Sequence, residues 1–273
     1  MRRGLQNASV REPAVAGAFY PADAAILRRG VLDLLDATTP VALPAPLKAL
    51  IVPHAGYAYS GAVAAAAYSL VRAGRDRIRR VVLIGPSHRV PLQGIAVPEA
   101  NHFRTPLGPM PIDLALRDEL LRRDDVVASD WPHASEHCLE VQLPFLQSIL
   151  PKSTLLLPLV AGLASPQHVA SVLAQVWGGH ETVVIASSDL SHYHRYDAAR
   201  MIDASTCASI QAFDSRLSGE QACGAVGING LLRLARELGL GIMEVARCNS
   251  GDSTADRTRV VGYAAFALHE GKA

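Results

Sequence analysis

The chain has 273 residues, of which 49% are hydrophobic and 19% are charged, so it can bury a large core without disulfides or structural metals. Its 26 basic and 25 acidic residues leave a formal charge of +1, which gives no basic surface for nucleic acid. No linker rich in Ser, Gly or charge interrupts the sequence, so we expect one domain over residues 1–273.

The sequence has no apolar run of the roughly 18 residues needed to cross a bilayer. Residues 1–3 lead into a polar segment instead of a signal-peptide core, so we expect a cytoplasmic protein that binds no membrane. Four cysteines occur without a CxxC pair: Cys138, Cys207, Cys223 and Cys248. We expect them to be free thiols, not disulfides or a structural zinc site.

Short apolar runs alternate along the chain with segments that carry apolar residues at helical spacing. The runs predict strands buried on both faces, at residues 47–52, 81–84, 154–160, 182–186 and 260–268. The helical spacing predicts helices, at residues 61–71, 112–122, 139–150, 166–176, 197–213 and 224–238. The alternation predicts an α/β fold with a central, mainly parallel sheet flanked by helices.

Three of the predicted strands run directly into polar segments that contain histidine. His54 follows the first strand, His88 the second, and Asp189 and His192 the fourth. In open α/β sheets, ligands bind outside the carboxyl ends of the strands, where loops bring side chains together. Because neutral imidazole is a common metal ligand, we predict that His54, His88 and Asp189 converge there, with the two histidines binding metal.

Asp189 and His192 allow two interpretations. Their spacing of three residues would aim both side chains into one pocket if the turn is helical, and Asp189 would then be a metal ligand or a general base. Alternatively, Asp189 caps the helix that follows. The two uses are compatible.

A second polar segment precedes the predicted helix at residues 139–150. Ser135 predicts an N-cap, and Glu136 suits a first helical turn because acidic side chains complement the helix dipole. A positively charged His137 would be disfavoured there, which leaves a neutral imidazole suited to proton transfer. Pro144 is expected to break or kink this helix early.

Six short motifs, taken in order, resemble those of the Memo family, which includes AmmeMemoRadiSam system protein B. They are Gly17-Ala18-Phe19-Tyr20-Pro21, Pro53-His54-Ala55-Gly56-Tyr57, Gly85-Pro86-Ser87-His88, Ser135-Glu136-His137, Ser187-Ser188-Asp189 and Asn249-Ser250-Gly251-Asp252. The resemblance covers nearly the whole chain. The family is similar to extradiol ring-cleaving dioxygenases, which implies a related single-domain fold and a pocket for non-haem iron.

The resemblance implies that His54 and His88 are metal ligands. In animal members the third ligand is a cysteine, and its position falls near a serine in this sequence. The third ligand is therefore left open among Asp189, His192, Cys248 and Ser253. Two histidines with Asp189 would approach the facial arrangement that suits iron(II), and copper or zinc are the other candidate ions.

Two functions follow from these residues. In the first, iron binds dioxygen and a small oxygen-rich substrate, while His137, His192 and Asp189 move protons. In the second, the protein is a non-catalytic module whose enzyme-like pocket binds a peptide or another protein. The resemblance also implies a radical-SAM protein and an AMMECR-type protein as partners.

Overall fold

A nine-stranded sheet forms the centre of the protein in this computed structural model, which describes residues 9–39 and 41–271. A smaller sheet of three strands, in the order β1-β5-β6, lies beside it. The strands are β1 (Val10–Arg11), β2 (Leu47–Val52), β3 (Arg80–Pro86), β4 (Ile95–Val97), β5 (His102–Thr105), β6 (Gly108–Pro111), β7 (Val126–Ala128), β8 (Leu155–Ala161), β9 (Thr182–Ser187), β10 (His192–His194), β11 (Gly241–Asn249) and β12 (Val260–His269).

Four strands at the centre of the large sheet run parallel, in the spatial order β2, β9, β3 and β8. On either side of them, β12 pairs antiparallel with β2, and β4 pairs antiparallel with β8. All five predicted strands lie in this sheet. The predicted α/β class, with a central sheet flanked by helices, is confirmed, and the outer strands make the sheet mixed.

Helices cover both faces of the sheet. They are α1 (Ala24–Asp36), α2 (Tyr57–Gly74), α3 (Leu114–Leu120), α4 (Trp131–Ala134), α5 (Leu143–Ile149), α6 (Pro166–Gln175), α7 (Tyr196–Gln211) and α8 (Ala225–Glu237). Alternate residues of β2 enter two separate cores: Leu50 packs with α1, α2 and α5, whereas Ile51 packs with α6, α7 and α8. Because both faces are buried, the central strands are mainly apolar, with Lys48 of β2 as an exception.

The segment between α4 and α5 differs from its prediction. Ser135 ends α4, and its N–H donates to the carbonyl of His133, so the predicted N-cap is wrong. Glu140–Gln142 forms a 3-10 turn, and α5 follows it. Pro144 lies in the first turn of α5, where its missing N–H breaks no helical hydrogen bond.

The four cysteines are free thiols, as predicted. Within the described residues, none of the helices combines the length and the apolar composition that crossing a membrane requires. Residues 1–3, on which the expectation about a signal peptide depends, lie outside the described residues.

Candidate metal centre

The parallel strands β2, β3 and β9 end at the same edge of the sheet, and the predicted polar residues meet there. The imidazole rings of His54 and His88 lie 5.2 Å apart between centroids. The backbone N–H of His54 donates to Oδ1 of Asp189 over 2.7 Å. His54 and Asp189 are buried, with 1% and 4% of their surface exposed. The predicted convergence of the three residues is therefore present in the structure.

Cys223 completes a group of three potential ligands. Its Sγ lies 3.3 Å from Nε2 of His54, and one ligand atom from each of His54, His88 and Cys223 lies within 4.8 Å of the others. Gly224 allows this approach, because a Cβ at that position would lie 2.6 Å from the carbonyl oxygen of Ser187. The start of α8 is thereby packed against the end of β9.

The hydrogen bonds of Ser187 fix the tautomer of His54. The hydroxyl of Ser187 donates its single hydrogen to the carbonyl of Cys138 over 2.7 Å. It must therefore accept from Nδ1 of His54 at 2.9 Å and from the amide of Gln142 at 2.8 Å. Nε2 of His54 consequently carries a lone pair, and it faces Cys223.

Glu136 fixes the tautomer of His88 in a different way. One carboxylate oxygen accepts from Nδ1 of His88 at 2.9 Å and from the backbone N–H groups of His137 and Cys138. The other accepts from the backbone N–H of His88 at 2.7 Å. Nε2 of His88 is left free, in the carboxylate–histidine arrangement that orients metal ligands. Glu136 therefore lies in a loop and not in the predicted first helical turn, because these groups take its carboxylate.

Burial alone would raise the pKa of Glu136, but the polar contacts of its carboxylate with the His137 and His88 side chains outweigh burial and hold that pKa well below its ordinary range. The carboxylate is thus charged at neutral pH. A second group of potential ligands combines His88, Glu136 and Cys138. In this group Sγ of Cys138 donates to the carbonyl of Pro86 over 3.2 Å. The Glu136 carboxylate already accepts four hydrogen bonds from N–H groups. The second group is therefore the poorer candidate for a metal site.

His137 packs against both candidate ligand histidines, His54 and His88. Its ring stacks on His88 at 4.7 Å, meets the edge of His54 at 5.2 Å, and contacts Phe19 at 4.9 Å. Nδ1 of His137 lies 3.1 Å from Glu136, without the alignment of a hydrogen bond, and is buried with no other partner among the described residues. The structure thus places this predicted proton carrier beside the ligand group.

Asp189 ties together the segments that carry two of the ligands. Its carboxylate accepts a hydrogen bond from the backbone N–H of His54. Its backbone carbonyl accepts one from the backbone N–H of Cys223 over 3.2 Å. Burial raises the pKa of Asp189. The alternative interpretation of Asp189 as a helix cap is wrong, because the next helix, α7, has Arg195 as its N-cap. The connecting residues instead form β10.

His192, in β10, also has a defined tautomer. Its Nδ1 donates to the carbonyl of Leu190 over 2.8 Å, so Nε2 is available for a proton or a ligand. By contrast, Cys248 lies in β11, opposite Tyr263 of β12 in the strand register. It lines a separate cavity of about 670 Å³ beside α7. Ser253 is exposed. Neither residue belongs to a group of potential ligands in the described part of the chain.

From the sequence, Cys223 is expected only as a free thiol. One signal could have identified it: Cys223 immediately precedes the glycine that opens a strongly periodic helix at 224–238, and helix N-termini are typical positions for functional thiols. No local pattern, however, predicts that this helix begins beside the end of β9.

The electrostatics of the pocket favour neutral ligands in the protein alone. Burial lowers the pKa of His54 well below its ordinary value, and repulsion from His137 and His88 adds to the effect. Burial also raises the pKa of Cys223 to about 12, with a further contribution from Asp189. His54 is therefore a lone-pair donor at neutral pH, and Cys223 must lose a proton to bind a cation as thiolate.

These features define a class of protein: an α/β fold whose strand ends and one helix start gather two imidazoles and a thiol into a metal-competent pocket. Residues 11–267 match the sequence model of the family described as Memo-like protein. A MEMO1 family protein of Ignicoccus hospitalis is 37% identical over 280 residues, covering 94% of this chain and 97% of the relative. One from Aquifex aeolicus is 35% identical over 266 residues, covering 93% and 97%. The chain belongs to the Memo family.

Proposed function

We propose that the protein is a metal-dependent, dioxygenase-like redox enzyme that acts on a small oxygen-rich substrate, with the ion held by His54, His88 and Cys223. The observation that supports it most is the arrangement of these ligand atoms within 4.8 Å of one another. In both histidines a hydrogen bond at Nδ1 leaves Nε2 free. Such outer partners raise the basicity of ligand histidines and fix their orientation.

The chemistry of the three donors fits a first-row transition metal. Imidazole suits iron, copper and zinc, and thiolate adds a soft ligand that favours copper(I) and zinc. Three protein ligands leave open positions for substrate. We therefore propose iron(II) as the working ion, with copper and zinc as the alternatives that the softer donor set admits. When bound, a redox-active ion would supply electron exchange with dioxygen and substrate.

The residues around the ligands have separate proposed tasks. Glu136 and Ser187 orient the imidazoles, and the burial of His54 and Asp189 keeps water away from that side of the pocket. Among the described residues, Nδ1 of His137 has no hydrogen-bond partner. His192 uses Nδ1 in a hydrogen bond and keeps Nε2 free. These free nitrogens suit proton transfer to and from substrate. Asp189, whose pKa is raised by burial, is the proposed proton acceptor between them.

Elemental analysis of untagged protein tests the ligands. We expect about one ion per chain in the wild type and a loss of most of it in His54→Ala, His88→Ala and Cys223→Ser. Cys207→Ser is the matched control, because Cys207 is a buried thiol of α7 that belongs to no ligand group. Full occupancy in Cys223→Ser would refute the assignment of the third ligand.

Anaerobic loading with iron(II) tests the chemistry. Addition of catechols, and then of dioxygen, should perturb the optical spectrum of the wild type and leave that of His54→Ala unchanged. If the ion binds but neither addition has an effect, the pocket is that of a non-catalytic binding module. In that case the capture of a partner protein, compared between the wild type and His54→Ala, becomes the informative measurement.

A further inference from the structure

We propose a second binding site, for a small amphiphilic carboxylate, at the opposite edge of the sheet from the metal centre. A cavity of about 340 Å³ lies between α1, the β5–β6 turn, α5 and the residues before β8. It adjoins the amino end of β8, whereas the ligand histidines follow the carboxyl ends of the parallel strands. The seven residues of β8 span roughly 20 Å.

The walls of this cavity are apolar. Leu107, Met110, Leu146 and Leu150 line it, and three of these four side chains are buried parts of the core. The volume is near the lower end of the range of about 300–1,000 Å³ for small-molecule sites. These walls would bury an alkyl or aryl group and gain the hydrophobic free energy of removing it from water.

The polar groups of the cavity are complementary to an anion. Arg28 and Lys152 line it, and none of the described Asp or Glu residues does. Neither cation forms an ion pair with a carboxylate among the residues that the structure describes. An apolar ligand with one carboxylate would satisfy both features of the cavity at once.

A buried hydroxyl supplies an independent observation. Thr154 lines the same cavity and is 1% exposed, yet its Oγ1 has no hydrogen-bond partner within the described part of the chain. A buried hydroxyl that is left without a partner lowers the stability of the protein. A carboxylate held by Arg28 and Lys152 would accept the missing hydrogen bond.

Calorimetric titration of the protein as purified with octanoate tests the proposal, with octanol as the neutral match. We expect octanoate to bind at least tenfold more tightly than octanol, and Arg28→Met combined with Lys152→Met to weaken octanoate by tenfold or more. Arg29→Met is the control, because Arg29 is the neighbouring exposed arginine of α1 and pairs with Asp33 at 3.1 Å. It should bind octanoate like the wild type.

Thr154→Val separates binding from folding. Removal of an unsatisfied hydroxyl should leave the melting temperature unchanged or raise it, while octanoate affinity falls. Equal binding of octanol and octanoate, or an unchanged affinity in the double variant that melts like the wild type, would overturn the proposal. So would octanoate binding that His54→Ala abolishes, since the carboxylate would then occupy the metal centre.

Discussion

The two histidines proposed as ligands are presented by opposite means. His54 is buried and donates from Nδ1 to a neutral hydroxyl, Ser187. The side chain of His88 is 28% exposed and donates to the carboxylate of Glu136. Burial, with added repulsion from His137 and His88, keeps His54 neutral, whereas the partly exposed His88 depends on a charged partner to fix its ring. One half of the site is thus organised by desolvation and the other by charge.

The same contrast balances the charge of a bound cation. A divalent ion held by the three proposed ligands would be compensated in part by the Cys223 thiolate and by the Glu136 carboxylate behind His88, whereas the Ser187 hydroxyl behind His54 carries no charge. Such compensation would offset the cost of burying the ion. We therefore expect Glu136, the partner of His88, to control metal affinity more strongly than Ser187, the partner of His54.

Glu136→Gln should have the largest effect. Four N–H groups, from His88, His137 and Cys138, donate to this carboxylate, and a glutamine would oppose one or two of them with its own N–H. We expect metal affinity to fall about 100-fold, the upper end for partners of ligand histidines. Competition with a chelator of known affinity measures it, and a loss below threefold would remove the special role of Glu136.

Ser187→Ala should have a smaller effect of about tenfold, because a neutral acceptor holds an imidazole less strongly than a charged one. Ser148→Ala is the control, since Ser148 is a helical serine that donates to the carbonyl of Pro144. The same chelator competition applies. A loss in Ser187→Ala that equals or exceeds that of Glu136→Gln would reverse the comparison.

Proton release should accompany metal binding at Cys223. Because burial raises the pKa of this thiol to about 12, it is protonated at neutral pH, and binding as thiolate releases one proton. His54, with its lowered pKa, releases none. Affinity should therefore rise about tenfold per pH unit around neutrality. Isothermal titration at several pH values measures this slope, and Cys223→Ser should lose it.

The metal-free protein should lose stability in mild acid. His54 has a folded-state pKa well below the unfolded value of 6.5, and burial lowers that of His133 to about 4. Below pH 6.5 the unfolded chain therefore binds more protons than the folded one, and each histidine lowers the free energy of unfolding by up to about 1.4 kcal/mol per pH unit. Urea denaturation at pH 7, 6 and 5 should show this decline. A flat profile would contradict the neutral, buried state of both rings.

The sequence was most informative where structure depends on local pattern. The central strands are buried on both faces, so each appears as a nearly continuous apolar run. Because polar residues directly follow those strands, the meeting of His54, His88 and Asp189 could be predicted. The strands β4, β7 and β10 have only three residues each, too few for a pattern. β11 is half-exposed and lies at the side of β12, so no apolar run reveals it.

Long-range packing decided what could not be predicted. Cys223 reaches His54 across 169 positions of sequence, and its place depends on the close contact of Gly224 with Ser187. Glu136 looked like a first-turn acid because its neighbours in sequence suit a helix. Its carboxylate instead binds N–H groups from the loop after β3, which only the folded sheet brings within reach.

X-ray absorption spectroscopy of the zinc-loaded protein tests the central claim, that His54, His88 and Cys223 share one ion, most directly. Zinc gives defined distances of about 2.3 Å to sulfur and 2.0–2.1 Å to nitrogen. We predict one sulfur and at least two imidazole nitrogens in the wild type, with the sulfur absent in Cys223→Ser. A spectrum without sulfur, or a sulfur that persists in Cys223→Ser through Cys138, would contradict the account.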